Sequence, residues 1–340
     1  RQLFSPVVHP GPPFADLGVL RGRIAVDGRR YDIRPNATLS GASCWPASSD
    51  RRALSVRSGV VGMMPAAVGD ITAATAGRLR DLGFSGVTVM IPNPLEARRE
   101  EYERAGAILR DGGITVAQAN PRYEMLVQPD DDRRALGIRQ LQAACRCATW
   151  LQAGTVYVRP GSLNPAGPWC PYPGNTSLRT LERLVDSLRQ VVPVAEEVGI
   201  PLAIEGASTS PLDTPERVRD CIEVVGSPAL RFNADPVNFV RSLDELYDTT
   251  ALIDRLFDCC GRYVVSGHAK DITYDNTLPV SMRECPLGTG LFDQETYIQR
   301  FQRCCPEGFL LIEHLPDDQI PAAKQHLDRV MEQAGLTWQA

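Results

Sequence analysis

Pro201-Leu-Ala-Ile-Glu205-Gly206 reads as a short apolar strand that ends on a carboxylate, and the same design returns three more times down the chain. Arg231-Phe-Asn-Ala-Asp235-Pro236 follows, then Tyr263-Val-Val-Ser-Gly-His268-Ala-Lys270-Asp271, then Phe309-Leu-Leu-Ile-Glu313-His314. Upstream lie four further apolar runs, at Ser58–Met64, Gly86–Ile91, Ile114–Gln118 and Thr155–Val158. Between most of the runs lie amphipathic stretches of helical period, such as Asp70–Leu82, Leu95–Arg110, Asp131–Gln152 and Leu178–Val198. Several of these end on a glycine just before the next run (Gly83, Gly112, Gly154, Gly199), where a helix C-cap belongs. Eight alternating βα units predict a closed (β/α)8 barrel over residues 55–340. Residues 1–54 are irregular and proline-rich. They carry one hairpin signal, Arg23-Ile-Ala-Val26 and Arg29–Ile33 around Asp27-Gly28, and are expected to form an N-terminal extension packed on the barrel.

In such a barrel the ends of the strands converge at one mouth, where the active sites of this fold sit. Glu205, Asp235, His268 and Glu313 are spaced about one βα unit apart, with one longer interval, so all four should meet there. One charged residue at a strand end is common and is often a satisfied ion pair. Three carboxylates and an imidazole in register are not common, and burying three carboxylates together without a cation would be very costly. The set predicts one divalent metal ion. Mostly hard, anionic oxygens suit Mn2+, Mg2+ or Co2+, whereas structural zinc sites draw on thiolates and imidazoles. Mn2+ is the expected ion, with Mg2+, Co2+ or Zn2+ as alternatives.

Composition narrows the classes. Of 340 residues, 43% are hydrophobic and 23% charged, enough for one large core. The net charge of −5 argues against a nucleic-acid surface, and no apolar run approaches the roughly 20 residues of a membrane span. The ten cysteines show no C-x2-C zinc spacing and read as reduced, packed thiols of a cytoplasmic protein.

The strand-end series Ile-Glu205-Gly, Asp235-Pro-Val-Asn238, His268-Ala-Lys270-Asp271 and Ile-Glu313-His-Leu resembles the xylose-isomerase-like superfamily of sugar isomerases and epimerases. The loop Pro286-Leu-Gly-Thr-Gly290-Leu-Phe-Asp293 resembles the Gly-x-Gly-x-x-Asp segment that the superfamily carries between its last two strands. The resemblance covers about residues 55 to 335. It implies that Glu205, Asp235, His268 and Glu313 bind Mn2+ or a similar ion, and that Glu205 and Glu313 form the acid/base pair. It also implies a small carbohydrate substrate, a metal-bound enediolate and a homo-oligomer. A lyase of the same superfamily, a dehydratase or a keto-glycoside- or C-glycoside-cleaving enzyme, would share the first proton abstraction and then eliminate a β-leaving group. The nuclease branch, which resembles a trinuclear zinc site fed by many histidines, does not suit a chain with four histidines.

Departures from the pattern point to substrate choice. Asn238 stands where sugar epimerases of the superfamily often place a histidine; an amide can hydrogen-bond a hydroxyl but cannot shuttle a proton. The long loop after the fourth run, Arg159 to Tyr172, carries Trp169 and Tyr172, which could stack on a sugar ring, an attached aromatic group, or merely the core. This loop and the N-terminal extension tell against a simple free ketose as substrate. Arg159 could grip a substrate oxygen or form a structural pair, and Lys270, two residues after His268, should share its side of the strand. Glu124 is a further candidate contact, weighed against a solvated loop charge. Asp271 and Asp293 read as loop-holding groups, His314 as alternating away from Glu313, and His9 and His326 as chemically idle.

Overall fold

The computed structural model describes residues 22–26, 29–33 and 56–339, and the chain divides into two compact units, residues 1–46 and 47–340. In the first, β1 (Gly22–Val26) pairs antiparallel with β2 (Arg29–Ile33), Val26 opposite Arg29, as a two-residue connection requires. The rest of the predicted extension, including Asp27, Gly28 and His9, lies outside the described residues.

The second unit is a closed parallel barrel. Its strands are β3 (Val56–Val60), β4 (Gly86–Ile91), β5 (Thr115–Pro121), β6 (Thr155–Val158), β7 (Leu202–Ile204), β8 (Leu230–Ala234), β9 (Val264–Ala269) and β12 (Phe309–Ile312). They pair in sequence order, and β12 closes the ring on β3 with Phe309 beside Arg57 and Ile312 beside Val60. Two short additions frame it. The antiparallel arm of β10 (Asp271–Asp275) and β11 (Ser281–Cys285) interrupts the path from β9 to β12, and β13 (Trp338–Gln339) adds alongside β3.

Helices α1 (Ala73–Asp81), α2 (Arg99–Asp111), α3 (Asp131–Trp150), α4 (Leu178–Val198), α5 (Pro215–Val225), α6 (Leu243–Tyr247), α7 (Thr249–Cys260), α8 (Gln294–Cys304) and α9 (Ile320–Gln333) fill the crossovers. Side-chain caps start several of them: Asp130 accepts from the Arg133 N–H, Ser177 from Thr180, Thr214 from Arg217 and Asp293 from Thr296. None of these helices is long and apolar enough to cross a membrane.

Two boundaries differ from expectation for backbone reasons. The first strand stops at Val60 rather than running to Met64, because Gly62 (φ 149°) and Met63 (φ 59°) turn the chain. After α3 the cap is Leu151 followed by the left-handed Gln152 (φ 54°), not Gly154, whereas α2 ends on Gly112 as expected, with Gly113 (φ 78°) turning the chain behind it.

Strand alternation decides which side chains enter the barrel. On β9, a Cβ on Gly267 would stand 2.5 Å from the Tyr297 hydroxyl and 2.8 Å from the Phe301 ring, so this residue faces α8 at a distance only glycine permits. Ser266, His268 and Lys270 therefore face inward. Tyr297 secures the contact by donating to the Ala234 carbonyl at 2.7 Å.

Candidate metal centre

Glu205, Asp235, His268 and Glu313 emerge from β7, β8, β9 and β12, all buried, and converge on one point. Ligand atoms of Glu205, Asp235 and His268 lie within 4.8 Å of one another. His268 Nδ1 stands 3.0 Å from Glu205 Oε2, 3.7 Å from Asp235 Oδ2 and 3.0 Å from Glu313 Oε2. Among the described residues, both Asp235 oxygens, His268 Nδ1 and Glu313 Oε2 are buried without a hydrogen-bond partner. Lys270 Nζ reaches Asp235 Oδ2 at 2.8 Å and Glu313 Oε2 at 3.0 Å, close enough for ion pairing but not aligned for hydrogen bonds. Orphaned lone pairs of hard donors that converge on one centre are what a divalent cation satisfies, so the donor set fits the expected ion.

The electrostatics of the cluster are asymmetric. Burial raises the Glu205 carboxyl above its usual range, the neighbouring carboxylates add to this, and His268 opposes it. Burial also works to raise Glu313, but His268 and Lys270 overcome it and hold Glu313 well below the usual carboxylate range. The difference follows from geometry, since Lys270 touches Glu313 and Asp235. Burial alone would depress Lys270, yet Asp235, Glu313 and Glu205 hold its ammonium well above the ordinary lysine value.

Glu205 is gripped by residues that its strand end alone does not reveal. Its Oε1 accepts from Asn238 Nδ2 at 2.6 Å and from the Tyr157 hydroxyl at 3.1 Å, and its Oε2 accepts from Asn233 Nδ2 at 2.6 Å. Tyr157, on β6, also lays its ring against His268 with 5.4 Å between centroids. Asn238, read as a substrate contact, spends its amide on the protein: besides Glu205, its Oδ1 accepts from Lys270 at 3.1 Å. It still lines the cavity that opens over the cluster.

That cavity, about 300 Å³, is bounded by Trp169 from the β6 loop, Ser208 and Thr209 beyond β7, Val237, Asn238 and Val240 beyond β8, and Ile272, Met282 and Glu284 of the arm. Trp169 is held there through its carbonyl, which accepts from the Thr209 hydroxyl at 2.9 Å. A smaller cavity of about 140 Å³ shares Lys270, Glu284 and His314 as wall.

Three readings from sequence are corrected here. Glu124 is not among the lining residues; its carboxylate pairs with Arg133 at 2.8 Å. Arg159 spends its guanidinium on the Asn120 side chain at 3.0 Å and on the Pro121 carbonyl, above the Tyr123 ring, which is the structural pairing rather than a substrate grip. His314 does not turn away: its left-handed backbone (φ 58°) breaks the strand alternation, and Nδ1 meets Glu284 at 2.9 Å on the cavity wall. Glu284, on the arm, was not singled out from sequence at all; it also reaches Lys270 at 3.4 Å.

Asp271 holds the Gly-x-Gly loop as expected. Its two oxygens accept from the backbone N–H groups of Ile272, Gly288 and Gly290, each at 2.9 Å, and of Phe292 at 3.1 Å. Asp271→Ala would strand buried donors and is expected to lower stability by at least about 2 kcal/mol. It should appear as a lower denaturant midpoint at unchanged slope, with Asp271→Asn between it and the parent.

The family description matching this chain, over residues 76–332, is a xylose isomerase-like TIM barrel. No curated protein sequence matches. Among solved structures, the fold is similar to a xylose isomerase-like TIM barrel protein from Mycobacterium smegmatis in complex with magnesium (TM-score 0.62, 17% identity, covering 82% of this chain and 96% of that one). It is also similar to 3-keto-D-glucoside 4-epimerase from E. coli (0.60, 15%, 82% and 99%). A third is the probable 3-DHS dehydratase of petrobactin synthesis from Bacillus anthracis (0.61, 14%, 81% and 99%).

Proposed function

Because the chain belongs to the xylose isomerase-like TIM barrel family, we propose that it is a divalent-metal-dependent isomerase or epimerase of a ketose or keto-sugar derivative. The observation that carries this reading is the buried quartet with its orphaned donor atoms. Glu205, Asp235, His268 and Glu313 would hold the ion, Mn2+ first among the hard divalent cations; the magnesium bound to a similar barrel supports the class. A bound divalent ion supplies Lewis acidity toward adjacent carbonyl and hydroxyl oxygens of a sugar.

The chain's own residues supply the rest. Glu313, kept ionised by Lys270 and His268, is the base that takes the proton from the carbon beside the carbonyl. Glu205 closes a strand three places away around the ring of eight, and delivers from the other direction a proton that it takes up from solvent, while Glu313 releases its own to solvent. The Lys270 ammonium sits where negative charge develops and offsets it. Trp169, Val237, Val240, Ile272 and Met282 give the cavity an apolar side against which a sugar ring or its substituent packs.

The deciding measurement is incubation of the Mn2+-loaded protein in D2O with a panel of ketoses and keto-glycosides. Deuterium incorporation into isomerised product supports the reading. Elimination of a substituent would make the protein a lyase, and absence of exchange with every compound would overturn it. Trp169→Ala should raise KM at least about fivefold, on the scale of one aromatic contact, with Mn2+ affinity unchanged.

A further inference from the structure

Inside the barrel, a chain of amides links two of the proposed ligands and has only one consistent direction. Asn233 Nδ2 donates to Glu205 Oε2 at 2.6 Å. A carboxylate offers only acceptors, so Asn233 must turn its nitrogen to Glu205 and its oxygen away. That oxygen accepts from the Ser266 hydroxyl at 2.5 Å and from Gln118 Nε2 at 3.4 Å. The reverse setting of Gln118 would press two amide oxygens together. With its nitrogen committed to Asn233, Gln118 presents Oε1 to His268 Nε2, 3.4 Å away. An amide oxygen cannot donate, so the proton of this contact belongs to Nε2. On the other edge of the ring, Nδ1 faces the carboxylates of Glu205, Asp235 and Glu313 and has no hydrogen-bond partner among the described residues. Gln118, Asn233, Ser266 and His268 are each at most 2% exposed, so the arrangement is held by packing on every side.

We infer that Gln118 and Asn233 are positioning residues that hold His268 with its proton on Nε2, and so make Nδ1 the atom that binds the divalent ion. The inference rests on the metal-centre reading above and adds to it which nitrogen binds and what selects it. Partners of this kind fix the ring's tautomer and orientation, and their loss typically costs about 10–100-fold in metal affinity. The relay also ties Glu205 to His268, so changes at Gln118 and Asn233 act on one unit and their effects on affinity should not add.

The test uses the full chain and the metal alone. Calorimetric titration with Mn2+ should show affinity falling about 10–100-fold in Gln118→Met, whose side chain fills similar space without the acceptor. Gln118→Glu, which keeps an acceptor toward His268, should recover most of that loss. In the Mg2+-loaded wild type, nitrogen-15 NMR of the imidazoles should show His268 protonated at Nε2 and not at Nδ1; this reading needs no variant to fold. A proton on Nδ1, or Gln118→Met binding Mn2+ as the wild type does, overturns the inference. A packing role alone would lower the melting temperature of Gln118→Met and leave its Mn2+ affinity intact. Failure of the wild type to bind either ion would overturn the metal centre itself, and the relay with it.

Discussion

Glu313→Gln is expected to lower turnover by at least about 10²-fold, the usual worth of a general base, in a protein that stays folded and still takes up its ion. The substituted amide can turn its oxygen toward Lys270, now 3.0 Å from the carboxylate, and so keeps the contact while losing the base. Glu205→Gln is expected to behave differently. Glu205 accepts from Tyr157, Asn233 and Asn238, so an amide nitrogen placed there must face a donor whichever way it is turned. The variant should lose stability, by about 1–3 kcal/mol for a buried donor left unmatched, as well as turnover and metal affinity. Denaturant melts beside rate measurements separate the two variants. Near-normal turnover in metal-loaded Glu313→Gln would place the base elsewhere.

Asp235→Ala should abolish metal-linked stabilisation. A ligand at 100 times its dissociation constant stabilises a folded protein by about 2.7 kcal/mol, and the wild type should gain that much when Mn2+ is added to chelator-treated protein. Asp235 is fully buried, and among the described residues both its oxygens lack hydrogen bonds and Lys270 is its one close cation besides His268. Removing it leaves Lys270 paired with Glu313 and Glu284, so the apo variant should still fold while its melting temperature ceases to respond to Mn2+. A full metal response in this variant would remove Asp235 from the centre.

The barrel and the quartet were legible in sequence for one reason: both are written in local order. Each βα unit is a contiguous apolar run, a turn and an amphipathic stretch, and each ligand candidate directly follows its run, so counting units places Glu205, Asp235, His268 and Glu313 at the same mouth. What was not legible depends on distance or on a single dihedral. Gln118 and Asn233 look like ordinary polar residues in strands; only closure of the ring sets Gln118 of β5 against Asn233 of β8. Tyr157 reads as an apolar residue until its hydroxyl meets Glu205. His314 was placed by alternation, which holds while the backbone stays extended and fails at φ 58°. Glu284 sits on a strand whose residues are mostly half-buried or exposed, so no periodic apolar signal marks β11. Arg159 and Glu124 could not be decided between a substrate contact and a structural pair, since the partners that occupy them, Asn120 and Pro121 on β5 and Arg133 on α3, are set by tertiary packing.

Among the described residues, the strands β10 and β11 form a sheet of their own, separate from the barrel. Yet it supplies Ile272, Met282, Arg283 and Glu284 to the wall of the larger cavity. The chemistry and the shape of the chamber are thus built on different foundations. The barrel's ring of backbone pairing carries the proposed acid, base and ligand groups, while a hairpin outside that ring forms much of the cavity wall above them. Exchanges at its half-buried and exposed positions, such as Met282 and Arg283, should therefore leave intact the register that sets the four strand ends, so that the proposed chemistry could be re-aimed at new compounds without rebuilding the barrel, provided that Asp271 keeps its hold on the neighbouring loop.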